Sequence, residues 1–286
     1  MKLGVIADCF KLPLKESIAL AGTLGFDGVQ IYATGGAFCP SALSASDRKA
    51  YRELLADNGL IVSALCGDMG GYGFEIEEDN AERIEKTCRI VDLAADMGTN
   101  AVTTHIGVIP ADPAHPRYGV MLRALRKAGR YAAGQGVTLA IETGPESAET
   151  LLGFLERVDA GKGVGVNLDP ANFVMVTDED PIAAVRLLAP YIVHTHAKDG
   201  RMLRKTDPKE IYGAFARGGI DALNVADYFI ETPIGEGAVN FPAYLAALAE
   251  IGYDGFLTIE RETGLEPARD IGAAARYLKE KLEELK

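Results

Sequence analysis

Short apolar, β-branched runs alternate with longer amphipathic segments along the whole chain, which is the pattern of βα units around a parallel sheet. Eight such runs predict strands: Leu3–Ala7, Gly28–Tyr32, Ile61–Leu65, Ala101–His105, Thr138–Glu142, Gly163–Asp169, Tyr191–His196 and Phe256–Glu260. Helical patterns fill the gaps. Ser44–Asn58 opens on capping residues and closes on Asn58-Gly59, and Asn80–Met97 carries Ile84, Cys88, Val91, Leu93 and Ala94 as its apolar positions before Gly98 stops it. The corners Leu24-Gly25-Phe26-Asp27-Gly28 and Ile251-Gly252-Tyr253-Asp254-Gly255 repeat one another, with Met97-Gly98-Thr99-Asn100 as a looser third copy. A glycine past a helix end takes the left-handed conformation, so one chemical solution serves several corners. No Pro/Gly/Ser-rich linker divides the chain, and residues 1–286 read as a single α/β domain, a (β/α)8 TIM barrel. A doubly wound open sheet competes, but Asp8-Cys9-Phe10-Lys11-Leu12-Pro13 stands where its glycine fingerprint belongs.

Composition narrows the class. With 48% hydrophobic and 24% charged residues, the chain has ample material for a large core. A net charge of -12 repels phosphate backbones, and no basic groove offsets it, so a small molecule rather than nucleic acid is the expected partner. The apolar run in MKLGVIADCF breaks at Asp8, and no later run has the length of a membrane span. A cytoplasmic protein with no membrane contact is expected, and self-association is compatible with the sequence. Cys9, Cys39, Cys66 and Cys88 have no CxxC spacing and read as free thiols.

The chemistry lies at the ends of the late strands, where Glu142, Asp169, His196 and Glu260 each close an apolar run. In a TIM barrel those ends face one rim, so residues distant in sequence meet there. A carboxylate after a strand is often only the N-cap of the next helix, and singly Glu142 or Asp169 is explained that way. Together, three carboxylates in a low-dielectric rim repel one another unless a cation lies between them. Oxygen-rich ligation with one imidazole points to a single divalent ion, Mn²⁺ first, with Mg²⁺, Co²⁺ or Zn²⁺ as alternatives.

These residues, with Leu168-Asp169-Pro170-Ala171-Asn172, Val193-His194-Thr195-His196-Ala197-Lys198-Asp199, Pro233-Ile234-Gly235-Glu236-Gly237 and Gly252-Tyr253-Asp254-Gly255, make the chain resemble the xylose-isomerase-like TIM-barrel superfamily. That superfamily contains sugar phosphate isomerases and epimerases and ketose 3-epimerases. The resemblance implies that Glu142, Asp169, His196 and Glu260 bind the metal, and that Glu142 and Glu260 also exchange protons with a small sugar or keto-sugar. Asn172 stands where epimerases often carry a histidine, and Met202 where they place an arginine, with Arg201 and Arg204 nearby. Alternatives are a lyase or dehydratase acting on an inosose or 3-keto sugar, and a non-enzymatic sugar-binding protein.

Other polar positions take secondary roles. His105 ends the fourth strand at the same rim and, with Asn172, Lys198 and Arg201, is a candidate substrate contact. His194 shares the face of His196 two residues lower and is read as a buried support. His115 reads as a loop histidine, and Glu146 as capping or starting the next helix. The glycine-rich Cys66–Phe74 segment has the content of a lid, and the loop-like Gly200–Gly237 stretch has the length to fold over the site.

Overall fold

The computed structural model describes residues 1–216 and 224–285. Eight parallel strands close into a barrel: β1 (Lys2–Ile6), β2 (Gly28–Tyr32), β3 (Ile61–Cys66), β4 (Ala101–Thr104), β5 (Thr138–Glu142), β6 (Val164–Leu168), β7 (Ile192–Ala197) and, after an inserted hairpin, β10 (Phe256–Ile259). The ring runs in sequence order from β1 to β7, then through β10 back to β1. The helices are α1 (Leu14–Thr23), α2 (Ala45–Asp57), α3 (Asn80–Met97), α4 (Pro116–Gly134), α5 (Ala148–Val158), the single turn α6 (Pro170–Asn172), α7 (Pro181–Leu188), α8 (Pro208–Ala216), α9 (Phe241–Glu250) and α10 (Pro267–Glu284). Central residues such as Val5, Val29, Val102, Leu139 and Val166 are wholly buried, because these strands are covered by side chains inside the barrel and by helices outside it. All four cysteines are free. Among the described residues no helix is long and apolar enough to cross a membrane.

The expected corners form as the repeat implies. Gly25, Gly98 and Gly252 have φ near +75°, and the residue after each returns a backbone hydrogen bond to the helix: Phe26 to Ala21, Thr99 to Ala94 and Tyr253 to Leu248. Gly59 and Gly136 build the same closure through Leu60 to Leu55 and Val137 to Ala132. Ser44 caps α2 in a reciprocal box with Asp47, as the sequence predicts.

The Gly200–Gly237 stretch is more than a loop. It holds α8 and most of an antiparallel hairpin, β8 (Asp199–Met202) with β9 (Phe229–Thr232), set beside the barrel mouth. Residues 217–223 of that stretch lie outside the described residues. Asp199 ties the hairpin to the Pro233–Gly237 loop: Oδ2 accepts from the backbone N–H groups of Gly235 and Gly237 at 2.9 Å each, and Oδ1 from Gly200 and Val239 at 2.8 and 3.1 Å. Gly237 must lack a side chain here, since a Cβ would fall 1.9 Å from Asp199 Oδ1.

Candidate active site

Four elements deliver the four rim residues. Glu142 is the last residue of β5, Asp169 follows β6, His196 lies near the end of β7, and Glu260 follows β10. One ligand-capable atom from each lies within 4.8 Å of every other. His196 Nδ1 is 3.2 Å from Glu260 Oε2, 3.5 Å from Glu142 Oε1 and 3.8 Å from Asp169 Oδ2. Burial disfavours a charged His196, but the carboxylates of Glu142 and Glu260 more than offset it and hold the ring well above its ordinary range. Likewise burial would raise the Glu142 carboxyl, and the charges of His196 and His105 bring it below the usual carboxylate range. Glu260 is lowered in the same way, chiefly by Lys198 and then His196.

Asp169 divides its two oxygens between two tasks. Oδ1 caps α6, accepting from the N–H groups of Ala171 at 2.7 Å and Asn172 at 3.2 Å, while Oδ2 is buried with no hydrogen-bond partner. Glu260 Oε2 is also buried without an aligned donor, meeting only the charges of Lys198 and His196 at 3.2 Å each. Buried anionic oxygens left in this state are costly, and a divalent cation would satisfy them. Three carboxylates and one imidazole nitrogen form a donor set of hard to intermediate character, which fits such an ion.

Residues that the sequence did not single out orient the four rim residues. Gln30 on β2 receives His196 Nε2 at 3.2 Å and His194 Nε2 at 3.1 Å on its Oε1, and its own amide donates to Thr103 Oγ1. An amide oxygen only accepts, so Nε2 of His196 presents its N–H to Gln30 and Nδ1 is the nitrogen turned toward the carboxylates. Asn167 on β6 reaches Glu142 Oε2 at 3.4 Å and the His196 ring at 3.2 Å. Thr143 and Asp169 exchange hydrogen bonds at 2.9 and 3.1 Å. The signal for Gln30 and Asn167 was present: each is a polar residue inside an otherwise apolar strand.

The secondary candidates separate. His105 Nε2 is 3.7 Å from Glu142 Oε1, and His105 lines the cavity above the four rim residues. Asn172 lines it too, donating to Thr143 O at 2.9 Å and Glu142 Oε1 at 3.4 Å. Lys198 is buried at the floor between Glu260 and Glu262, at 3.2 and 2.6 Å. Arg201 stands apart from the other three: its guanidinium lies exposed on the Glu236 carbonyl, outside the cavity lining. Arg204 does not replace it, since it stacks over the Tyr228 ring. His194 is the expected buried support, kept neutral by burial and by the neighbouring His196 charge, which press it down to about 3. His115 caps α4 through Nδ1. Glu146 differs from expectation, for Ser147 caps α5 while Glu146 is buried ahead of the helix.

The cavity over this floor has a volume of about 1050 Å³. The Cys66–Phe74 segment supplies one wall through Cys66, Asp68, Gly70, Gly71, Tyr72 and Gly73. Tyr212 on α8 forms part of the opposite wall; its hydroxyl packs on Gly144 so closely that a Cβ there would lie 1.9 Å away.

The family described as xylose isomerase-like TIM barrel matches this chain over residues 18–281. The solved structure of a xylose isomerase domain protein from Planctomyces limnophilus is 28% identical, with a TM-score of 0.77 over 94% of this chain and 92% of that one. Two others share the fold at lower identity. One is the probable 3-DHS dehydratase AsbF of Bacillus anthracis, involved in petrobactin synthesis (20%, TM-score 0.78, covering 98% and 99%). The other is a D-tagatose 3-epimerase-like protein (23%, TM-score 0.76, covering 100% and 98%).

Proposed function

The chain belongs to the xylose isomerase-like TIM barrel family, and from that premise we propose that it is an isomerase or epimerase of a small sugar or keto-sugar. In this reading it works with one divalent cation, Mn²⁺ before Mg²⁺, Co²⁺ or Zn²⁺. The observation that carries it is the convergence of Glu142, Asp169, His196 and Glu260 on one point, with Asp169 Oδ2 and Glu260 Oε2 buried and without a hydrogen-bond partner. Asp169 and His196 would anchor the ion, and Glu142 and Glu260 would hold it as well as move protons. When bound, the cation supplies electrostatic stabilisation of the enediolate that forms as a proton leaves the carbon beside a carbonyl.

Glu142 and Glu260 stand three strands apart in the eight-strand ring, so they reach a bound sugar from different sides. One carboxylate takes the proton from one face of the carbon, and the other returns a proton to the opposite face, inverting it. Return to the neighbouring carbon instead gives aldose–ketose isomerisation. His105, Asn172 and Lys198 contact the substrate oxygens. The likeness to the probable dehydratase AsbF favours a second reading, elimination from an inosose or 3-keto sugar, which uses the same deprotonation and then expels a β-substituent.

Proton NMR in D₂O tests this on Mn²⁺-loaded protein, with products examined after metal removal, across a panel of ketoses, aldoses, keto-sugars, their alkyl and aryl glycosides and their phosphates. Solvent deuterium is expected at the reacting carbon of one of them with no loss of water, and Glu142→Gln or Glu260→Gln slows exchange about a thousandfold. Loss of water assigns the elimination reading. No exchange and no conversion across the panel overturns both.

A further inference from the structure

The cavity is larger than a free six-carbon sugar fills, since about 1050 Å³ reaches the upper end of what drug-sized ligands occupy. Its polarity is divided. The floor carries the carboxylates and His196, whereas the wall built by Met175, Tyr212, Phe215, Val225, Phe229 and Ile230 is predominantly apolar. Phe215 and Ile230 are each about half exposed (51% and 50%) although they line the cavity, so they retain apolar surface for a ligand to cover.

Charge also discriminates. Four cationic side chains line the cavity among the described residues. Lys198 is matched by Glu260 and Glu262, Arg117 by Glu75, and Arg261 by Glu231 and Asp270. The fourth, Lys209, is exposed on α8. Among the described residues no cluster of unmatched cations is built here for a phosphate, which normally draws several donors or a guanidinium fork.

We infer that the substrate is a neutral keto-sugar derivative carrying an apolar substituent away from its carbonyl, an alkyl or aryl keto-glycoside in chemical class, for which simple glycosides serve as unreactive binding probes. Its hydroxylated ring lies over the Glu142–His196 floor and its substituent lies against the Phe215–Phe229–Ile230 wall. This inference rests on the proposed function, which sets the ring at the floor. A free sugar would leave that wall uncovered, whereas an aromatic substituent removes its own apolar surface and that of Phe215 and Ile230 from water together.

Isothermal titration of Mn²⁺-loaded protein with methyl and phenyl β-glycosides of glucose and galactose, and with glucose 6-phosphate, tests it. The phenyl glycoside of at least one sugar binds about tenfold or more tightly than its methyl counterpart, the gain that partial burial of one ring gives. That ratio falls toward one in Phe215→Ser and Ile230→Ser, positions exposed enough for polar replacement to spare the core. Equal affinity of phenyl and methyl glycosides, tighter binding of glucose 6-phosphate, or no glycoside binding by protein that holds Mn²⁺ overturns the inference while leaving the metal site standing. Protein that retains no Mn²⁺ brings down the proposed function and this inference together.

Discussion

Asp169 serves local structure and the candidate metal centre through different oxygens, and substitution separates the two. Asp169→Asn keeps an acceptor for the Ala171 and Asn172 N–H groups and loses the anionic ligand, so it retains stability in chelator but not divalent-ion binding. Asp169→Ala loses both and is less stable than Asp169→Asn by roughly 1 kcal/mol. Chemical denaturation in chelator, followed by metal titration, checks the pair; equal stability of the two variants contradicts the capping role. Glu146 offers a second test. Burial pushes its carboxyl up to about 8, helped by the nearby charges of Glu179 and Glu75 and opposed by a backbone hydrogen bond from Ile109. The folded protein then keeps a proton that the unfolded chain releases, so the unfolding free energy falls as pH rises from about 4.5 to about 8 and levels above that. The slope is on the order of 1.4 kcal/mol for each pH unit in that window. Glu146→Gln removes this contribution, and urea melts at pH 5 and pH 8 show it as a stabilisation relative to the parent that is larger at pH 8; an equal difference at both pH values contradicts it. Residues at strand ends were legible in the sequence because position and chemistry coincide there. Gln30 and Asn167 were less so: a single polar residue in an apolar strand announces a buried partner without saying which one.

Among the elements, the barrel strands and αβ corners follow from local physics, and the hairpin does not. Gly98 and Gly237 show two different reasons for glycine. At Gly98 a Cβ would meet open space, and only φ of +77° requires glycine, so Gly98→Ala costs about 1 kcal/mol and leaves the rim unchanged. At Gly237 the backbone is not left-handed, but a Cβ would strike Asp199, so Gly237→Ala displaces the Pro233–Gly237 loop from the hairpin. Hydrogen–deuterium exchange distinguishes them: protection of Gly235 and Val239 N–H falls in Gly237→Ala and is retained in Gly98→Ala. The sequence carries a strong signal at Gly98, where helix end, glycine and the next strand adjoin. It carries little for β8 and β9, which are four residues each and pair across a long separation, so their partnership is a tertiary fact. The same distance explains why Tyr212 and the Arg261–Glu231 pair escaped notice, and why Arg201, close to His196 in sequence, is placed outside the cavity lining.

For the whole molecule, closure of the barrel turns four separated residues into one centre. The strand ends of β5, β6, β7 and β10 are neighbours in the ring, and their acidic residues are brought within a few ångströms at a point where burial makes unmatched charge expensive. Fold stability is supplied by the apolar core around the strands, while the rim gathers the buried polar residues of the candidate metal centre. The account therefore depends first on whether the rim holds a divalent ion. Chelator-treated protein, reloaded with Mn²⁺ and freed of excess, is to be analysed for metal content by mass spectrometry, with an Asp169→Asn, His196→Ala double variant alongside it. One Mn²⁺ per chain in the parent and loss of that ion in the double variant is the predicted result; a parent that retains no divalent ion, or a double variant that retains it equally, contradicts the account.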